Sequence, residues 1–64
     1  MMKYYVIQTK GNTENIVKVF SNEKEAKEYG KEYFSRLNPG DGVITVEGIA
    51  DGNANRKIVA GWHH

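Results

Sequence analysis

The chain contains no cysteine and only one proline among its 64 residues. Without cysteine no disulfide can stabilise the fold, and this absence fits a reducing compartment. The two histidines, His63 and His64, are adjacent at the end of the sequence, and neighbouring side chains on an extended backbone point in opposite directions. No other histidine or cysteine completes a ligand set. We therefore expect no metal site and no cofactor.

Long hydrophobic runs and a strong charge bias are also missing. The longest apolar stretches are a few residues, far below the roughly 20 needed to span a bilayer, and the start of the chain does not read as a signal peptide. We expect no membrane association and a cytoplasmic location. Nine basic residues against eight acidic ones give a net charge of +1, so nucleic acid is a partner that the charge does not favour.

Catalytic motifs are absent as well. Neither serine has an internal histidine to act as its base. The segment Gly40-Asp41-Gly42 precedes a strand pattern, whereas phosphate-binding loops precede a helix. Glu47 could act as a general acid or base only if it were buried. A solvated strand residue, or a cross-strand partner of Lys18 or Lys57, explains it more simply. We therefore expect a protein that is not an enzyme.

The residues that are present predict four strands and one helix. Aromatic and β-branched residues indicate strands over 3–9, 14–20, 43–50 and 56–62, and good helix formers indicate a helix over 22–37. Turns are expected at Gly11-Asn12 and over 51–55. We find no internal repeat. The pattern predicts an α+β fold of ββαββ order, with a four-stranded, mainly antiparallel sheet and one helix on one face, in a single domain over 1–64.

Two features of the helix carry specific expectations. Ser21 or Asn22 caps its start, and Glu25 three residues after Asn22 fits a capping box. Gly30 lies within the apolar stripe, although glycine costs about 1 kcal/mol in a helix interior relative to alanine. We expect that Gly30 allows the helix to approach the sheet closely.

Strand register predicts which side chains share a face, because side chains alternate along a strand. A turn centred on Gly11-Asn12 sets Val6 opposite Val17 and Tyr4 opposite Val19. An odd-length second loop sets Ile44 opposite Trp62, Val46 opposite Ala60 and Gly48 opposite Ile58. One helix covers only the face that these residues form. The uncovered face is nevertheless expected to hold many apolar residues, so we predict an interface formed by Tyr5, Ile7, Ile16, Phe20, Ile49 and Val59.

The expected function follows from that uncovered face. We predict a small, non-enzymatic protein-interaction module that forms a homodimer, with a second protein as a further candidate partner. The alternative is a weak nucleic-acid-binding protein or a regulatory accessory protein of a bacterial or mobile-element system. In that case exposed aromatic side chains would stack bases beside basic residues. The candidate basic residues are Lys3, Lys18, Arg56 and Lys57.

Overall fold

The computed structural model describes residues 2–50 and 56–64. The strands and helices are β1 (Met2–Lys10), β2 (Thr13–Phe20), α1 (Glu23–Ser35), a short 3-10 helix (Pro39–Asp41), β3 (Val43–Ala50) and β4 (Arg56–Trp62). The predicted strands are confirmed to within a residue at each end. The helix ends at Ser35, two residues before its predicted limit. The turn predicted over 51–55 lies outside the described residues.

The four strands form one sheet in the order β2-β1-β3-β4, and every neighbouring pair is antiparallel. The helix α1 packs against one face of this sheet. The strand β1 lies between β2 and β3 and is antiparallel to both, so β2 and β3 run parallel to each other. The helix α1 makes the connection between these two strands. The predicted ββαββ fold with its mainly antiparallel sheet is confirmed, and the insertion of β1 between β2 and β3 makes every neighbouring pair antiparallel.

The helix is capped by Asn22 and packs closely at Gly30, two of the features that its sequence predicts. The side-chain oxygen of Asn22 accepts a hydrogen bond from the backbone N–H of Glu25 at 3.1 Å, which identifies Asn22 as the N-cap. Gly30 is buried against the sheet. A Cβ atom at this position would lie 2.8 Å from Cζ3 of Trp62 and 3.2 Å from Cγ2 of Val46. The helix can therefore approach this closely only because residue 30 has no side chain.

The core lies between α1 and the two central strands. Val6, Ala26, Ile44 and Val46 are fully buried there, and half-buried aromatic side chains surround them. At one end of this layer Gln8 connects strand and loop. Its amide nitrogen donates to the carbonyl of Asp41 at 2.7 Å, and its amide oxygen accepts from the Tyr33 hydroxyl at 3.4 Å. The core is small, as a chain of this length implies.

The register of both edge strands shifts by one residue. In the β1–β2 ladder Ile7 pairs with Ile16, but Val6 pairs with Lys18, so Val17 has no partner. In the β3–β4 ladder Val46 pairs with Ala60, but Glu47 pairs with Ile58. Each shift is a bulge, which places one extra residue on the edge strand. Because side chains alternate, each bulge reverses the facing of the residues beyond it.

These bulges correct the predicted register. The expected pairs Val6–Val17, Tyr4–Val19 and Gly48–Ile58 were wrong, whereas Ile44–Trp62 and Val46–Ala60 are confirmed. Phe20 was predicted on the uncovered face, but it pairs with Tyr4 on the helix side. Its ring centre lies 5.3 Å from that of Tyr29. The facing of Val59 was wrong for the same reason, since this unpaired residue packs against the core.

Candidate functional site

The side of the sheet opposite α1 is the candidate site, and we call it the open face. Its residues follow from the observed pairings of the four strands. The side chains that point to it are those of Lys3, Tyr5, Ile7, Thr9, Glu14, Ile16, Val19, Val43, Thr45, Glu47, Ile49, Arg56 and Ile58. Seven of these thirteen are apolar when Tyr5 is counted, a high share for a sheet face left to solvent.

Two rows of side chains cross the middle of the open face. The first row contains, from one sheet edge to the other, Val19, Tyr5, Glu47 and Ile58. The second row contains Ile16, Ile7, Thr45 and Gly61. The bulges lie at the level between these rows, so they are what brings Val19 and Ile58 to the two ends of the first row.

Burial varies strongly across these rows. On the central strands Ile7 is only 4% exposed and Glu47 only 7%, even though no helix or strand of the described residues packs over them. On the edge strands Ile16 is 62% exposed, Val19 44% and Ile58 65%. Neighbouring side chains therefore shield the centre of the open face from water. Its most exposed apolar side chains lie along both edges.

The one acidic group at the centre of the open face is already paired. Oε1 of Glu47 lies 3.1 Å from Nε of Arg56, whose side chain is about half exposed. A buried carboxylate without a partner would be strongly unfavourable, and the guanidinium compensates it. The expectation that Glu47 is solvated was therefore wrong, and its expected partners, Lys18 and Lys57, face the helix side instead. A molecule that covers this face need not supply a charge to Glu47.

Four of the six predicted interface residues lie on the open face: Tyr5, Ile7, Ile16 and Ile49. Phe20 and Val59 do not, because both follow the bulges onto the helix side. Sequence reasoning missed Val19 and Ile58, which replace them. Each edge strand contains adjacent β-branched residues, Ile-Val, and an aromatic residue three positions after that valine. That shared spacing was the signal for a common register.

The basic residues proposed for nucleic-acid binding are divided between the two faces. Lys3 and Arg56 lie on the open face, whereas Lys18 and Lys57 lie on the helix side. The ammonium group of Lys18 is 5.6 Å from the ring centre of Phe20 and 5.4 Å from that of Tyr29. Its charge is thus engaged by two rings of the protein itself. The four residues form no single basic stripe.

Other kinds of site can be assessed for the described part of the chain. Residues 2–50 and 56–64 form no pocket and no group of three or more potential metal ligands. The His64 ring lies 4.6 Å from the ring of Phe34, centre to centre, on the helix side. The helix within these ranges is too short and too polar to cross a membrane.

Comparison with known proteins gives no match to a family model, a curated protein or a solved structure.

Proposed function

We propose that this chain is a non-enzymatic interaction module that associates with a second copy of itself through the open face. The main support for this proposal is that the exposed apolar residues are concentrated on one face of the sheet. Four large apolar side chains are exposed in the described part of the chain, and three of them, Ile16, Val19 and Ile58, lie on the open face. Covering them would remove apolar surface from water, the main driving force of protein association.

The sheet edges are poorer docking sites than this face. An edge strand can add a strand from another molecule through its free backbone groups, but a bulge disrupts the regular spacing that such pairing requires. Both β2 and β4 carry a bulge near their middle. Strand addition is therefore disfavoured at either edge, and the face between the edges is the surface left for a partner.

The area of the open face is sufficient for a weak dimer. Strands of eight residues extend about 26 Å, and four of them side by side span roughly 19 Å. Each copy would thus contribute about 500 Å², and a face-to-face dimer would bury about 1,000 Å² in total. This area is near the lower limit for a specific interface. We therefore expect a micromolar, reversible dimer.

The charges of the open face fit a second copy as the occupant. Among residues 2–50 and 56–64, the face holds two basic residues, Lys3 and Arg56, and two acidic residues, Glu14 and Glu47. A partner of strong single-sign charge would find no complementary patch here. A two-fold dimer brings the same surface together twice, so a face with balanced charge can complement itself.

Sedimentation velocity over a wide concentration range tests the proposal. The wild type is expected to shift from monomer to dimer in the micromolar range. Ile16→Lys and Ile58→Lys should each keep the fold, because both positions are exposed, and should remain monomeric. Each replaces an apolar contact made twice in the dimer by a charge, which we expect to weaken association about a hundredfold or more.

Asn15→Lys is the matched control. It adds the same charge one residue from Ile16, on the same strand, but Asn15 is exposed on the opposite side. This variant should dimerise like the wild type. A wild type that stays monomeric at every concentration would refute the proposal. Equal weakening by Asn15→Lys and Ile16→Lys would refute the assignment of the interface to the open face.

A further inference from the structure

The paired strands of the two hairpins correspond to each other residue by residue. The Val6–Val46 pair lies at the centre, and each ladder shifts its register at that pair. A half-turn about an axis perpendicular to the sheet through this pair therefore places β1 on β3 and β2 on β4. It superimposes Ile16 on Ile58 and Phe20 on Trp62. The sequence shows no internal repeat, but the sheet has an approximate internal two-fold symmetry.

This internal symmetry allows two similar face-to-face dimers. In the matched arrangement each strand lies over its own counterpart, running in the opposite direction. In the crossed arrangement β1 lies over β3 of the second copy, and β2 lies over β4. Both are two-fold symmetric and cover the same rows. Only the residues that differ between the two hairpins can favour one over the other.

The central rows favour the matched arrangement. There the first row of one copy lies over the second row of the other, so Val19 meets Ile16 and Tyr5 meets Ile7. Glu47 then lies over Thr45, whose hydroxyl can donate a hydrogen bond to the carboxylate. In the crossed arrangement Ile7 lies over Thr45, so an apolar side chain covers a hydroxyl group on both sides of the axis. Tyr5 then lies over Glu47, whose carboxylate already pairs with Arg56.

The charges at the ends of the sheet favour the same arrangement. Lys3 and Arg56 lie at one end, both in line with Ile49, whereas Glu14 lies at the other end, opposite Thr9. Matched packing reverses the strands, which brings Lys3 of each copy beside Glu14 of the other. Crossed packing keeps the ends together and brings Lys3 beside Arg56. Opposite charges meet in the first case and like charges in the second.

The geometry points to a matched dimer, in which the β1–β2 hairpins of two copies pack on each other. This inference rests on the proposed function, since it specifies how the open faces of two copies meet. It identifies Val19 and Ile16 as direct partners across the interface, and Lys3 and Glu14 as the residues that select the orientation.

Crosslinking with cysteine variants distinguishes the two arrangements, because the wild type contains no cysteine. A mixture of Val19→Cys and Ile16→Cys should give a crosslinked heterodimer with a short bismaleimide, whereas Val19→Cys mixed with Ile58→Cys should not. The reverse result identifies the crossed arrangement and overturns the inference while leaving the dimer intact. No crosslink in either mixture, together with a monomeric wild type in sedimentation, overturns the proposed function as well.

A charge exchange gives an independent measurement on the full chain. Lys3→Glu should weaken the dimer on the order of threefold to tenfold, because it loses two exposed ion pairs. Lys3→Glu combined with Glu14→Lys should restore the wild-type dissociation constant. In the crossed arrangement Lys3→Glu would instead strengthen the dimer, since it would face Arg56, and that outcome would overturn the inference.

Discussion

The bulge in β2 determines which of two neighbouring side chains, Val19 or Phe20, packs on the helix side of the sheet. Phe20 is half-buried, belongs to the layer around the core and packs on Tyr29. Truncating a fully buried phenylalanine to alanine costs about 3–5 kcal/mol. Because part of the Phe20 ring is exposed, we expect about 2–3 kcal/mol for Phe20→Ala. Val19 points to the open face and is 44% exposed, so Val19→Ala should cost less than about 1 kcal/mol.

Urea unfolding measures this difference, with the fluorescence of the only tryptophan, Trp62, as the probe. Dilute samples should be used, so that association does not contribute to the stability of either variant. A chain of this length is stable by only about 3–10 kcal/mol, so Phe20→Ala should move the midpoint by about 2 M urea. Without the bulge, Val19 would point to the core and Phe20 to solvent. A larger loss for Val19→Ala would therefore refute the observed register.

Three further substitutions can be measured by the same unfolding experiment. Gly42→Ala should destabilise by at least about 2 kcal/mol, because φ is +92° and a Cβ would meet the Thr9 carbonyl; Gly40→Ala, with open space around it, is the control and should change stability little. Gly30→Ala should lose about 1 kcal/mol, since overpacking against Trp62 exceeds the gain in helix propensity; a stabilised variant would contradict the close approach. Asn22→Ala should lose about 1 kcal/mol with its cap, and an unchanged midpoint would argue against capping by Asn22.

Much of the fold was predictable from local patterns. Turn residues separate the strands, Asn22 and Glu25 mark the start of α1, and Gly30 signals a close contact with the sheet. The connection through one helix limits the topologies that keep neighbouring strands antiparallel. These features act over a few residues each, so the sequence displays them directly.

The register of the edge strands was not predictable from alternation alone. A bulge adds one residue to one strand, and the resulting reversal can be read only against the partner strand. In β2 the run from Ile16 to Phe20 has apolar residues at both even and odd positions, so the sequence is compatible with either set pointing to the core. The common Ile-Val spacing in β2 and β4 indicates that the two edge strands share one register. That signal is visible only when the two hairpins are compared.

An NMR dilution series tests self-association through the open face residue by residue. Amide chemical shifts recorded from low to high micromolar concentration report where a second copy binds. We expect concentration-dependent shifts at Tyr5, Ile16, Val19 and Ile58, with the outer surface of α1 unchanged. Shifts confined to α1, or no change at any concentration, would contradict it.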